Sequence, residues 1–281
     1  MASTKYLIIH ADDAGMAFSE NKATQLGMLR GSISSTSLMV PCPWFYDMAQ
    51  FFLKHTELDY GIHLTLTGEW KTYPFKPCLP SSLISSLVND EGYFYPKRNF
   101  IRDQAKADEV YLELKRQIEI ALEMGLKPSH LDSHMYTLGL RQDLIDLYQQ
   151  LGKEFQLPIL LSKELIGHSG QNHDLLKLPE HGCLESVFMA SFSAYQNEGL
   201  LKFYDQLLDQ LPDGLSILLI HPALESDEMD QITLDHPNFG AKWRAEDAAY
   251  FSSVACKERL KRNGIVLVDW KSPIVLSHLG A

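Results

Sequence analysis

Aspartate and histidine residues recur where apolar runs of this sequence end. Asp12-Asp13 follows the first run, His63 lies inside the third, and His221 closes a later one. His130, Asp132 and His134 alternate, and alternate residues of a strand share one face. Imidazole and carboxylate donors suit a borderline divalent metal, and one Asp with two His leaves positions open for water and substrate. These residues together predict a catalytic metal site.

Each of these motifs taken alone has an ordinary structural explanation. Asp12-Asp13 could be a solvated turn or helix cap, and His63 a hydrogen-bonded core histidine. The alternation from His130 to His134 could be a buried polar ladder, and His221-Pro222 a plain strand end. A single structural explanation would have to cover four separate strand ends. The joint pattern therefore favours a metal site.

The elements that must position these residues alternate along the chain. Nearly continuous apolar runs predict strands buried on both faces; they are Tyr6–Ile9, Thr36–Val40, Tyr60–Leu66, His130–His134, Leu157–Leu161, Leu215–Ile220 and Ile265–Val268. Helical spacing predicts the helices Ala17–Leu29, Gln104–Met124, Leu140–Phe155, Leu200–Leu211 and Ala245–Arg262.

This alternation predicts a parallel sheet with crossover helices. About seven strands in 281 residues favour a closed or nearly closed (β/α) barrel over a doubly wound open sheet. No linker, repeat or low-complexity tract is visible, so we expect one domain over residues 1–281. Loops that follow barrel strands build the active site; the long ones here are Thr67–Asp103, Ser162–Glu185 and Ala223–Lys242.

Composition excludes several classes of protein. The net charge of −11 offers no broad basic face, which argues against nucleic-acid binding. The four cysteines form no CxxC pair, which argues against a cysteine zinc site and a disulfide scaffold and suits a reducing cytoplasm. No run approaches the roughly 18 apolar residues of a membrane span, and no signal peptide is evident. We expect a cytoplasmic protein with no membrane partner.

Four motifs, in this order, resemble the YdjC-like (ChbG-type) carbohydrate deacetylases: Ala11-Asp12-Asp13-x-Gly15, Gly61–Leu66, Ser129–His134 and His221-Pro222. The resemblance implies a distorted TIM-like barrel with long strand-to-helix loops, related to the polysaccharide deacetylases. It also implies hydrolysis of N-acetylated sugars such as chitooligosaccharides. A divalent metal would be held by Asp13, His63 and His134, with Asp12 as the general base.

The sequence departs from the family pattern beside three of these motifs. The usual Asp-Asp-Phe-Gly has Ala14 in third position, Met135-Tyr136 replaces a histidine-rich run, and Ala223 replaces the glycine of His-Pro-Gly. No proposed ligand is lost. The substrate stays open, because residues beside the motifs shape the pocket.

The expected mechanism uses one divalent ion, magnesium or zinc, to activate water. Asp12 takes the water proton, and His221 is the candidate general acid for the departing amine. Asp132 and His130 are expected to orient a ligand imidazole. Residues in or beside the long loops are expected to contact the sugar; the candidates are Trp70, Trp243 and Arg244. The alternative is that these side chains only pack the loops against the rest of the protein.

Two other kinds of function fit part of the pattern. One is a metal-dependent phosphoesterase or sugar isomerase on a similar barrel, although no GxGxxG or GxxxxGK phosphate loop is present. The other is a carbohydrate-binding protein without catalysis, which would not need Asp12 beside a metal ligand. The expected partner is a small N-acetylated sugar or oligosaccharide. Whether the protein forms a homodimer is left undecided, since no sequence pattern indicates one.

Overall fold

A computed structural model describes residues 4–179, 182–234 and 236–279 of the chain. Its seven strands pair in parallel in the order β4-β3-β2-β1-β6-β5, and β7 pairs with β1. The strands are β1 (Lys5–Ala14), β2 (Ser35–Leu38), β3 (Gly61–Leu64), β4 (Leu131–Ser133), β5 (Ser186–Met189), β6 (Gly214–Ile220) and β7 (Ile265–Leu267).

The long strand β1 lies at the centre of this sheet. Leu7, Ile8 and Ile9 are all fully buried, as expected for a parallel strand covered on both faces. One side of β1 pairs with β6 over most of its length. The other side pairs first with β7, at residues 5–7, and then with β2 from His10 onwards.

Helices cover the sheet between the strands. None of those in the described residues is long and apolar enough to cross a membrane. They are α1 (Phe18–Arg30), α2 (Phe45–Lys54), α3 (Arg98–Gln104), α4 (Ala107–Glu123), α5 (Gln142–Phe155), α6 (Lys163–His168), α7 (Phe192–Glu198), α8 (Leu200–Asp209), α9 (Asp227–Ile232), α10 (Ala241–Phe251), α11 (Val254–Arg262) and α12 (Pro273–Leu279).

Two predicted helices are each divided in the structure. The prediction Ala245–Arg262 spans α10 and α11, which separate at Ser252-Ser253. The Ser253 hydroxyl accepts a hydrogen bond from the Cys256 amide at 3.0 Å, so it caps a new helix. The start of Gln104–Met124 belongs to α3, and α4 begins at Ala107.

The prediction of a regular strand at Leu157–Leu161 is wrong. It forms a single bridge, between Ile159 and Leu131 of β4. Pro158 has no amide hydrogen and cannot donate to a ladder. The next strand along the chain is β5 (Ser186–Met189), which the sequence analysis did not predict.

The irregular segment nevertheless lies between the two edge strands of the sheet. The Leu160 amide donates to the Leu131 carbonyl at 2.9 Å, and the Leu184 amide donates to the Leu161 carbonyl at 2.9 Å. These bonds connect the β4 edge with the segment that leads into β5. The prediction of a distorted α/β barrel with a parallel sheet is confirmed, and the distortion is concentrated here.

The long segments predicted as loops are partly helical. Ser162–Glu185 contains α6, and Ala223–Lys242 contains α9; their positions 180, 181 and 235 lie outside the described residues. The stretch between β3 and α4 buries Trp70, Phe75 and Phe94 against the core. Residues from all three segments line the cavity at the carboxyl end of the barrel.

Candidate active site

Six of the predicted site residues meet at the carboxyl ends of β1, β3, β4 and β6. They line a cavity of about 410 Å³, which also has apolar walls from Leu160, Met189 and Phe192. Ligand pockets usually measure about 300–1,000 Å³. The predicted site residues in the lining of this cavity are Asp12, Asp13, His63, Trp70, Asp132, His134, His221 and Arg244.

Asp13 lies between His63 and His134, and we call these three residues the cluster. Its Oδ1 lies 3.3 Å from His63 Nε2 and 3.1 Å from His134 Nδ1. One ligand atom from each of the three residues lies within 4.8 Å of the others, and all three side chains are buried. Asp13 has a φ of 65°, and this left-handed turn separates its direction from that of Asp12.

Asp132 holds His63 from behind. Its Oδ1 accepts a hydrogen bond from His63 Nδ1 at 2.8 Å, and its Oδ2 accepts from the Ser37 hydroxyl at 2.7 Å. Oδ2 also lies 3.0 Å from His10 Nε2. Burial would raise the pKa of Asp132, but His63 and His10 hold it well below its usual range. Asp132 thus holds one of the two clustered imidazoles, and the role of that imidazole as a metal ligand stays a prediction.

His134 lies between two carboxylates. Nδ1 faces Asp13, and Nε2 is 3.0 Å from Oε2 of Glu69. Burial lowers the pKa of His134, but Glu69 and Asp13 outweigh it and raise this pKa to about 9. The pKa of His63 is also raised well above its usual value, by Asp132 and Asp13 against the effect of burial. Sequence reasoning missed Glu69, because one acidic residue in a long loop carries no pattern.

Arg244 lines the cavity and is also bonded to other residues of the chain, and the sugar contact predicted for it stays a prediction. Its Nη2 donates to Asp13 Oδ2 at 2.9 Å, its Nη1 donates to Glu20, and its Nε donates to the Phe239 carbonyl at 2.7 Å. The side chain is 1% exposed. These three donor nitrogens are engaged within the chain, so Arg244 fixes the second oxygen of Asp13. Glu20 was also missed by sequence reasoning.

The charges around this pair shift the two carboxyl groups in opposite directions. Burial would raise the pKa of Asp13, but its contacts with His134, His63 and Arg244 bring it well below the usual value. Burial raises the pKa of Glu20 well above the usual value, because Arg244 only partly offsets it. Asp13 is therefore the stable anion of the site.

Asp12 is the least engaged carboxylate. Oδ2 is 3.6 Å from His221 Nε2, and Oδ1 is 3.3 Å from His10 Nε2. Among the described residues, Oδ1 has no hydrogen-bond partner. Burial raises the pKa of Asp12 to about 7, more than the nearby histidines lower it. A buried carboxylate with a near-neutral pKa matches a general base that works near pH 7.

His221 is positioned through its backbone. Its amide donates to Asp247 Oδ2 at 2.8 Å, and Tyr204 donates to Asp247 Oδ1 at 2.6 Å. Burial lowers the pKa of the His221 imidazole to about 3. The imidazole is therefore neutral near pH 7, which differs from the imidazolium that a general acid requires.

Three other predicted residues, His130, Trp243 and Trp70, do not belong to the cluster of Asp13, His63 and His134. His130 stacks on Trp270 with ring centroids 4.3 Å apart, and its Nδ1 is 2.8 Å from the Ser129 hydroxyl. Within the described residues it makes no hydrogen bond to His63 or His134, so it does not orient them directly. Trp243 is 1% exposed and packs on Phe239 and Tyr195 in the core, not in the cavity. Trp70 does line the cavity, although it is 2% exposed.

The donor set fits a divalent cation. Asp13, His63 and His134 supply one carboxylate and two imidazoles from three separate elements. Each has a further partner that holds it in place, as metal ligands usually do. Asp12 stays beside this set without joining it. The cluster could therefore hold a metal and keep a free carboxylate next to it.

Relatives of known sequence match almost the whole chain. A carbohydrate deacetylase of Thermoanaerobacter pseudethanolicus is 30% identical over 239 residues, which is 83% of this chain and 86% of that protein. One from Thermus thermophilus is 31% identical over 257 residues, or 90% of this chain and 87% of that protein.

A solved structure has the same fold. It is an Enterococcus faecalis protein named for cellobiose-phosphate cleavage, with a TM-score of 0.76 and 25% identity over 96% of this chain and 98% of that one. The family model for YdjC-like proteins matches residues 6–262. The resemblance seen in the motifs is thereby confirmed: the chain belongs to the YdjC-like family.

Proposed function

We propose that this protein is a metal-dependent carbohydrate deacetylase, a hydrolase that cleaves the acetamide C–N bond of N-acetylated sugars. The observation that carries the proposal is the pairing of Asp12 with the cluster of Asp13, His63 and His134 at one end of the barrel. Asp12 provides a free carboxylate of near-neutral pKa beside a donor set that suits a cation. Curated relatives that cover most of the chain carry the same activity in their names.

A divalent cation bound at this cluster would supply Lewis acidity, which lowers the pKa of water and stabilises negative charge on a carbonyl oxygen. Asp12 accepts the proton of the attacking water. The water oxygen bonds to the acetyl carbon, the C–N bond breaks, and the sugar nitrogen gains a proton. The products are acetate and the amino sugar.

Two side chains can return the proton to the nitrogen. His221 is the candidate from the sequence, and its Nε2 lies 3.6 Å from Asp12 Oδ2. Its pKa of about 3 makes it a weak proton acceptor from Asp12, whose pKa is about 7. This difference in pKa favours Asp12 both as the group that takes the proton from water and as the group that gives it to the sugar nitrogen. A His221→Asn variant separates the two routes: a loss of about 100-fold or more in kcat would assign the acid role to His221.

The substrate proposed for the cavity is an N-acetylated amino sugar or a short chitooligosaccharide. Trp70 and Phe192 give the cavity aromatic walls, and Glu69 adds a carboxylate. Two imidazole ligands fit zinc better than magnesium, and both ions are candidates for the site.

The direct test is release of acetate from N-acetylglucosamine oligomers, measured with metal present and after chelation. His134→Ala should abolish metal binding and turnover together, whereas Asp12→Asn should keep the metal and abolish turnover. His278→Ala removes an exposed histidine outside the site and serves as the control. No acetate from any N-acetyl sugar, together with hydrolysis of a phosphate ester, would favour the phosphoesterase alternative.

A further inference from the structure

A carboxylate holds each of the two imidazoles of the cluster, but at different ring nitrogens: Nδ1 in His63 and Nε2 in His134. We infer that Glu69 is a positioning residue that fixes His134 with Nδ1 toward the cation, while Asp132 fixes His63 with Nε2 toward it. This inference rests on the proposed metal site and specifies the atoms and the supporting carboxylate of that site.

The orientation of His63 follows from its hydrogen bonds. A carboxylate oxygen can only accept, so the 2.8 Å contact with Asp132 places a proton on Nδ1. Nε2 is then the nitrogen that a cation can use once its proton is displaced, and it faces Asp13 Oδ1 at 3.3 Å.

His134 has the reverse arrangement. Its Nδ1 faces the same Asp13 oxygen, at 3.1 Å, and its Nε2 lies 3.0 Å from Glu69 Oε2. The Glu69 carboxylate accepts the Nε2 proton, which leaves Nδ1 as the atom that a cation can use once its proton is displaced. These two nitrogens and Asp13 Oδ1 therefore face one another within 4.8 Å.

Glu69 is held in place by the residues beside it. An added Cβ at Gly68 would lie 2.9 Å from the Phe75 amide nitrogen, so the chain passes too closely for a larger residue. Trp70 packs its ring against His236 at 4.9 Å between centroids, and its Nε1 donates to Met16 Sδ at 3.2 Å. The Glu69 side chain is 12% exposed. These contacts give the carboxylate a fixed position over His134.

The role of such a carboxylate is specific. It sets the tautomer and ring angle of a ligand imidazole and increases its basicity, and its removal typically lowers metal affinity about 10- to 100-fold. Gln keeps an oxygen that accepts the same proton, but without the negative charge. A side chain that only packed the loop would not affect which nitrogen binds the cation.

The first test is spectroscopic and uses the wild-type chain. Long-range ¹H–¹⁵N spectra of ¹⁵N-histidine-labelled protein, with and without Zn²⁺, report which nitrogen of each ring binds the ion. We expect Zn²⁺ to shift Nδ1 of His134 and Nε2 of His63, each with a proton on the other nitrogen. Zinc on Nε2 of His134 would overturn the inference.

The second test measures Zn²⁺ affinity by competition with a chromophoric chelator. Glu69→Ala should weaken binding about 10- to 100-fold, and Glu69→Gln should recover most of the loss. Glu91→Gln, an exposed acidic residue of the same loop, should bind like wild type. Unchanged affinity in Glu69→Ala, with His134→Ala unable to bind, would refute the role of Glu69 alone. Unchanged metal content in His134→Ala would instead refute the proposed metal site.

Discussion

Replacement of Arg244 by methionine isolates the buried charge that supports Asp13. The guanidinium bonds Asp13 at 2.9 Å, Glu20 and the Phe239 carbonyl, and these two carboxylates are 1% and 0% exposed. Methionine fills much of the volume but leaves both carboxylates without their cation. We therefore expect a large loss of stability in the metal-free protein.

Removal of one partner from a buried ion pair typically destabilises a protein by about 3–5 kcal/mol. The entropy of unfolding is about 2.1 cal/mol/K per residue, or about 0.6 kcal/mol/K for 281 residues. The expected fall in Tm is therefore about 5–8 °C. Loss of the cation also raises the pKa of Asp13 and Glu20. The stability deficit should thus be largest at pH 8 and smaller at pH 5.5, where Glu20, whose pKa burial already raises, takes up a proton more readily.

The assay is thermal and urea unfolding of chelator-treated protein at both pH values. Arg244→Lys restores a charge without the planar fork and should lie between methionine and wild type. Arg116→Met removes a surface arginine that pairs with Glu123 at 2.7 Å, and should change stability by less than about 1 kcal/mol. A loss below about 1 kcal/mol for Arg244→Met, or a deficit that grows toward acid pH, would refute the reasoning.

Three further predictions concern the ligands and the barrel interior. Asp132→Ala should weaken Zn²⁺ binding about 10- to 100-fold in the chelator competition, because the His63 Nδ1 proton loses its acceptor; equal affinity would contradict this role. Since the pKa of His134 is about 9 and that of His63 is also raised, a metal must displace a proton from each ring, and affinity should rise by about tenfold or more per pH unit from pH 6 to 8; a flat profile by titration calorimetry would contradict it. In Gly61→Ala the new Cβ would lie 2.5 Å from His130 Nε2, so thermal unfolding should show a loss of about 1–3 kcal/mol. Gly167→Ala, with no neighbour within 4 Å, should show no such loss.

Much of the fold could be predicted because buried parallel strands leave a clear apolar signal. Residues 6–9 and 215–220 were placed correctly, since both faces of these strands are covered. The failure at Leu157–Leu161 arose because an apolar run with an internal proline looks like a strand but cannot complete a ladder. β5 was missed because only Val187 of its four residues is buried. The prediction of one domain over residues 1–281 stays a prediction.

The part of the site that could be predicted is the part carried by strand ends. Asp13, His63 and His134 meet because parallel strands end at one edge, and strand identity can be read locally. The supporting residues come from helices and loops distant in sequence. Arg244 reaches Asp13 across 231 positions, and Glu69 reaches His134 across 65. Such partners depend on the packing of whole elements, which local patterns do not encode.

The central position of β1 joins the chemistry of the site to the cooperativity of folding. Partners on both sides cover its backbone from Lys5 to Ala11, and Asp12 and Asp13 follow directly on the same strand. Amide protons of such a segment exchange with solvent only when a large part of the sheet opens. We expect the covering loops to open locally while β1 stays closed. We therefore expect Asp12 and Asp13 to belong to the slowest-opening unit of the molecule, and the loops above them to a faster one.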